Sequence, residues 1–298
     1  MRLSASRIAL VGVFLSVAFW RGSFAAESDQ MLGDSAFVRS LSRPGALTPH
    51  FYFNPEVRTA APSRGKMDSD RPHLYLYGTA HVDLSTYGAL GVGYWSDSEL
   101  TRRVADKHRC VLFENDAIPF YRYVWRLATD WSWRNDLMYD IKFFNGYKGV
   151  DVPVYHDICL YSRLDNPHLT PYALIRRMLV PVEDNRFDFR IGLLRAFALP
   201  WWGLTLTPGA YVDGGNATQV YRRYGRRPDG SRDYTPGVNA MVSFLQLAKQ
   251  LSESVTVYAG VEDFHIVRHS ARQIEDRRDD VTARNDMFLG LIGLRMNF

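Results

Sequence analysis

Eight histidines and two cysteines are the scarce reactive residues of this chain, and their spacing limits the chemistry on offer. His81 and Asp83 stand two residues apart. In an extended segment that separation puts both on one face, where a carboxylate could orient an imidazole for proton transfer. The plainer reading of the same pair is a hydrogen-bonded polar network. His156 and Asp157 are adjacent and would face opposite ways on a strand, while His269 and Ser270 fall in a polar, Arg/Asp-rich stretch. The spacing shows no metal-ligand motif and no glycine-rich phosphate loop. Catalytic, cofactor-binding and metal-binding residues are therefore all left unassigned, and no cofactor is expected. Two cysteines, Cys110 and Cys159, are too few for a disulfide scaffold or a cysteine-rich zinc module. Whether they bond depends on a Cα separation that the sequence does not fix.

A larger set of charged and phenolic residues shares a simpler pattern, which is every second position. From Leu74 to Leu84, Leu74, Leu76, Ala80, Val82 and Leu84 alternate with Tyr75, Tyr77, Thr79, His81 and Asp83. Tyr121, Tyr123, Trp125 and Leu127 alternate with Arg122 and Arg126 around Val124, and Leu137, Tyr139, Ile141 and Phe143 with Met138, Asp140 and Lys142. Phe187, Phe189, Ile191 and Leu193 oppose Asp188 and Arg190, and Leu204, Leu206, Ala210 and Val212 oppose Thr205, Thr207, Tyr211 and Asp213. Successive strand side chains point to opposite faces, so each segment has one apolar and one polar face.

The elements that must position these residues are strands, and three features separate a membrane barrel from a soluble sandwich. Connectors alternate between tight ones (Ser85–Tyr87, Pro200–Trp202, Gln250–Ser254) and long polar ones (59–72, 96–118, 214–237, 267–286). Tyr94-Trp95, Trp131 with Trp133, and Trp201-Trp202 cluster near strand ends, where an interfacial girdle would lie. The chain also ends in an alternating segment whose last residue is Phe298. Counting back from it predicts twelve strands, near 48–58, 73–84, 88–96, 119–130, 136–146, 154–163, 171–181, 186–197, 203–213, 238–249, 255–266 and 287–298. Ten and fourteen are the alternative counts, because Arg176-Arg177 interrupts the alternation.

The first residues read as an export signal. Arg2 and Arg7 precede an apolar run from Ile8 to Phe19, and Ser23 and Ala25 offer a small-residue cleavage site. The expected organisation is a signal peptide over 1–25, a short periplasmic lead over 26–46 and a barrel over 47–298. Residues 1–25 hold three arginines and no acid, so 36 − 3 = 33 basic residues face 32 acidic ones in the remainder, a balance of +1. Nucleic acid is not an expected partner of so balanced a chain. With 14% aromatic residues the chain is also not a disordered one.

The final segment, DMFLGLIGLRMNF, places Phe288, Ile292, Leu294, Met296 and Phe298 on one apolar face. It resembles the C-terminal signature strand of Gram-negative outer-membrane β-barrel proteins. That resemblance implies an all-β transmembrane antiparallel barrel in the bacterial outer membrane. It further implies that these five residues act as the signal read by the barrel-assembly machinery, and that lipid and lipopolysaccharide are partners. The inward face would then carry Tyr75, Tyr77, His81, Asp83, Arg122, Arg126, Asp140, Lys142, Asp188, Arg190, Tyr211, Glu262 and Arg295. These residue types fit a narrow channel for small polar or anionic solutes, since arginine forks match carboxylate and phosphate. The alternative is a non-conducting structural, adhesion or assembly-partner barrel, with the same charges bracing the wall. An outer-membrane lipid or peptide hydrolase ranks third. The chain lacks the His-x-Ser arrangement of outer-membrane phospholipases and lipid A deacylases, and its His81 falls at the wrong end for an omptin-like protease.

Overall fold

The computed structural model describes residues 49–63, 66–69, 71–84, 88–104, 107–144, 155–180, 186–216, 236–267 and 286–298. The segments read as signal peptide and lead, 1–25 and 26–46, lie outside the described residues. Twelve antiparallel strands form the body: β1 Pro49–Arg58, β2 His73–Asp83, β3 Ala89–Val104, β4 Lys107–Ala128, β5 Trp131–Phe144 and β6 Tyr155–Asp165. They continue with β7 Thr170–Val180, β8 Phe187–Leu194 with its extension Phe197–Leu199, β9 Leu204–Gly215, β10 Gly237–Gln250, β11 Val255–Ile266 and β12 Asp286–Asn297. The two parts of β8 keep one register against β9, with Leu194 opposite Gly209 and Phe197 opposite Leu206. The gap between them faces Pro208, which has no amide hydrogen to give the ladder.

Each strand pairs with its chain neighbours, and β12 returns to β1 with Val57 opposite Ile292 and Phe53 opposite Met296. The terminal Phe298 extends this seam by exchanging backbone hydrogen bonds with Phe51 at 2.8 and 3.0 Å. The sheet is thus a closed twelve-strand barrel, the solution that leaves no unpaired strand edge in hydrocarbon. A separate two-strand hairpin, Ala61–Ser63 with Lys66–Ser69, stands between β1 and β2.

The connectors sort by end. At one, the turn end, segments 84–88, 129–130, 166–169, 200–203 and 251–254 are short. Local chemistry makes them tight. Asn166 Oδ1 accepts from the backbone N–H of His168 and Leu169, both at 2.9 Å. Gly88 sits at φ 101°, and a Cβ there would stand 1.9 Å from the Arg122 carbonyl oxygen, so only glycine fits. The longer connectors lie at the opposite, loop end. One expectation fails there. Residues 96–118 are not a loop: β3 and β4 stay paired, with Arg103 opposite His108 and Val104 opposite Lys107, and only 105–106 join them. The apolar alternation stops near Ser96 while backbone pairing continues. Alternation therefore reports contact with lipid and not the length of a strand.

The outward face is apolar all round the barrel. Phe51, Leu90, Val92, Leu137, Leu160, Ile191, Leu193, Met241, Ile292 and Leu294 are all exposed, a continuous belt far beyond what a water-soluble surface carries. Trp125, Trp131, Trp133, Trp201 and Trp202 gather at the turn end, with Trp201 92% exposed. This is the aromatic girdle of an outer-membrane barrel, at the end where its short turns lie. Trp95 does not belong to it. Its ring is inside, packed against the buried cluster and 5.6 Å from Tyr75.

Candidate functional site

The interior is where the ionisable residues converge, and strand register places them. Arg122 on β4 lies directly opposite Asp136 on β5. Arg122 Nε donates to Asp136 Oδ1 and Arg134 Nε to Asp136 Oδ2, both at 2.8 Å. Arg122 is 1% exposed and Asp136 is fully buried. Arg122 lies over the Phe120 ring at 5.7 Å and Arg134 over the Tyr161 ring at 5.4 Å, so aromatic faces cover what the carboxylate leaves.

Nearer the loop end, one ammonium is met by four carboxyl groups. Lys142 Nζ lies against Asp140, 3.3 Å from Asp116, 3.7 Å from Asp157 and 3.8 Å from Glu114. Three adjacent strands build this group, since Lys142 is opposite Asp116 on β4, and Asp140 opposite Asp157 on β6.

A third network spans the closing seam. On β1, Arg58 pairs with Glu56 and reaches across β12 to Glu262 on β11, at 3.1 Å. The Tyr258 hydroxyl stands 2.7 Å from both Asn54 Oδ1 and Glu56 Oε2. Arg295 donates to Gln246 at 2.7 Å and lies 4.4 Å above the Tyr258 ring. On the far wall, Arg190 grips Asp213 with two bonds, at 2.9 and 3.0 Å, and lies 3.9 Å over Tyr211. Arg176 donates to Asp188 at 2.6 Å.

Of the thirteen inward candidates, Arg122, Asp140, Lys142, Asp188, Arg190, Tyr211, Glu262 and Arg295 sit in these networks. Tyr75 lies between the Arg58 guanidinium, at 5.4 Å, and Trp95. Tyr77 is buried beside Tyr52, and His81 and Asp83 are buried at the turn end with His50. Arg126 is exposed near the turn end, so it shares parity with Arg122 and not its surroundings. Sequence reasoning left out Asn54, Glu56, Arg58, Arg134, Asp136 and Tyr258. The first three alternate with Phe51, Phe53 and Val57, so the signal was present, although Pro55 interrupts it. Among the described residues Cys159 is a free, buried thiol, and the Cys110 side chain lies outside them.

Between the charges, large rings fill the interior. Tyr52, Tyr77, Phe120, Tyr161, Tyr172, Tyr211, Phe244 and Phe264 belong to one buried cluster. Glycines on neighbouring strands make room for them. A Cβ at Gly209 would stand 2.1 Å from the Phe244 ring, and one at Gly192 2.5 Å from Tyr172. The five residues read as an assembly signal lie on the opposite, outward side: Phe288, Ile292, Leu294 and Phe298 are exposed and Met296 is half-buried. Outside the barrel, Tyr139 and His156 form an exposed hydrogen-bonded pair at 2.7 Å. That pair holds no alcohol or thiol nucleophile and no orienting carboxylate, so its geometry does not amount to a hydrolase triad.

No family model and no curated protein matches the chain. Among solved structures it is similar to the KdgM porin, with a TM-score of 0.44 and 10% identity over 84% of this chain and 99% of that one. It is similar to the NanC porin, with a TM-score of 0.45 and 10% identity over 83% and 98%. It is also similar to a Salmonella typhi outer membrane phospholipase dimer with bound calcium, with a TM-score of 0.46 and 11% identity over 88% and 97%. All three likenesses fall below a TM-score of 0.5, and it is the closed sheet with its apolar belt and aromatic girdle that gives this chain the architecture of an outer-membrane β-barrel.

Proposed function

We propose that the protein is a narrow channel for small polar solutes, with a lumen held nearly shut by its own side chains. One observation carries this reading: ion pairs and hydrogen-bonded charges line the interior from His50 and Asp83 at the turn end to Asp116 and Asp157 toward the loop end. Buried ion pairs are a poor way to gain stability, because apolar residues of equal volume hold a core as well or better. Ionisable groups kept at membrane depth point first to a solute or ion path. The arginine forks of residues 58, 122, 134, 176 and 190 already hold protein carboxylates. An anionic solute must displace those carboxylates, so small polar and zwitterionic solutes fit the reading better than strong anions do.

A second reading, the non-conducting barrel, is favoured by the burial of Arg122 and Asp136. Planar-bilayer recording separates the two. The channel reading expects discrete single-channel steps from purified, heat-modifiable protein, altered when Lys142 is replaced by Gln. Silent bilayers with correctly folded protein would reject it.

A further inference from the structure

At the turn end, β1 and β2 bring together three side chains that are far apart in the sequence. His50 and His81 are opposite each other in the register, and Asp83 follows two residues later on the same inward face. The two imidazole rings stack with centroids 5.0 Å apart and planes 22° from parallel. His50 Nε2 and Asp83 Oδ2 are 3.0 Å apart. One ligand atom from each of the three residues falls within 4.8 Å of the others. His81 and Asp83 are buried, while the His50 side chain keeps 16% exposure. The site therefore has a protein wall behind it and an approach from the turn end.

We propose that His50, His81 and Asp83 form a binding site for a divalent transition-metal ion of the zinc class, pinning the first strand of the barrel to the second. Two neutral imidazoles and one carboxylate suit such an ion, and with three protein ligands a fourth position is left for water. Metal–ligand bonds near 2 Å put donor atoms roughly 3–3.5 Å apart in a tetrahedral site. His50 Nε2 and Asp83 Oδ2 already stand 3.0 Å apart, and binding would draw a His81 nitrogen in from within 4.8 Å of both. The carboxylate has capacity to spare, because Asp83 Oδ1 is buried with no hydrogen-bond partner among the described residues. The neighbourhood supports the ring positions as well. A Cβ at Gly91 would stand 2.5 Å from the His81 Cβ and 2.6 Å from Phe120, so the glycine leaves His81 and Phe120 room to pack at 6.2 Å between ring centroids. Among the described residues, the carboxylate–histidine contacts elsewhere, His73 with Asp97 and His265 with Asp286, each offer a single imidazole. This inference is independent of the channel reading, since a metal at the first hairpin serves a conducting and a silent barrel alike.

The test uses the full barrel in detergent, stripped with chelator and titrated with Zn2+, and with Co2+ as the spectroscopic probe. The expected result is one equivalent bound, the strong visible bands of tetrahedral Co2+, and a higher unfolding temperature that chelator reverses. His50→Gln, His81→Gln and Asp83→Asn should each weaken binding by more than about tenfold. His156→Gln, on the outer surface, should leave the titration unchanged. His50→Gln is the decisive variant because its partial exposure makes misfolding least expected, and heat-modifiable gel mobility verifies that each variant is folded. Wild-type protein that binds no Zn2+, or a folded His50→Gln that binds it as tightly, would overturn the site. Bilayer recordings with and without Zn2+ leave the two functional readings to be judged separately.

Discussion

Asp136 shows most clearly what the interior charges do. Two guanidiniums share its carboxylate, and all three groups are cut off from water. Removing the acid leaves two buried cations facing each other, the costly way to break such a network. Asp136→Leu is expected to destabilise the barrel by about 3–5 kcal/mol in reversible urea unfolding from lipid vesicles. Arg126→Gln supplies the contrast. It shares the strand and parity of Arg122, the partner of Asp136, but it is exposed, so its loss should cost less than about 1 kcal/mol. Equal losses at the two sites would mean that the buried triad contributes nothing special. Arg190 tests geometry instead of charge. Its two parallel bonds to Asp213 and its stacking on Tyr211 both need a planar fork. Lysine there keeps the charge and loses both contacts, so Arg190→Lys should lower the unfolding midpoint despite its conservative appearance.

The strand is the scale at which the two faces part. Leu193 lies near the middle of β8, 46% exposed on the belt. Leu193→Arg should cost about 2–4 kcal/mol, the range for a cation on the lipid face at mid-depth, whereas Leu193→Phe should be close to neutral. Failure to see that difference in vesicle unfolding would mean the belt does not face lipid. The inward face offers no refuge for added bulk either, because Thr207 is only 1% exposed. Most of this was legible in the sequence, since a period of two with one apolar side is what lipid contact writes into a strand. The strand count and the parity of β4, β5, β8 and β9 could be read that way. Two things could not. Past Ser96 the sequence no longer alternates apolar with polar residues, so the continuation of β3 and β4 left no trace there. Proximity across strands was equally hidden: His50 is 31 residues from His81, and only the β1–β2 register makes them neighbours. The same limit concealed Arg58 reaching Glu262, which requires knowing that the barrel closes between β1 and β12.

At the scale of the whole barrel, the question is what fills the space that twelve strands enclose. Strand number sets the diameter, and twelve strands enclose more room than a backbone and short side chains occupy. Here large rings take up that room, and they do so in a regular way. Tyr172 on β7 folds over Gly192 of β8, and Phe244 on β10 folds over Gly209 of β9, so rings from either side cover the bare backbone of the two strands between them. Aromatic side chains shield strand glycines in this manner and add stability by doing so. They also stand where a solute would pass. Truncating both rings, in a Tyr172→Ala, Phe244→Ala double variant, should therefore have two effects at once. Stability should fall, by about 3–5 kcal/mol for the phenylalanine alone, because the cavity is only partly refilled. Conductance through folded, heat-modifiable protein in planar bilayers should rise above that of the parent chain, because the enlarged interior is lined by the Arg190–Asp213 and Arg176–Asp188 pairs and will hold water. A variant that loses stability yet conducts no better would show that these rings are braces beside the path, or that there is no path for them to bar.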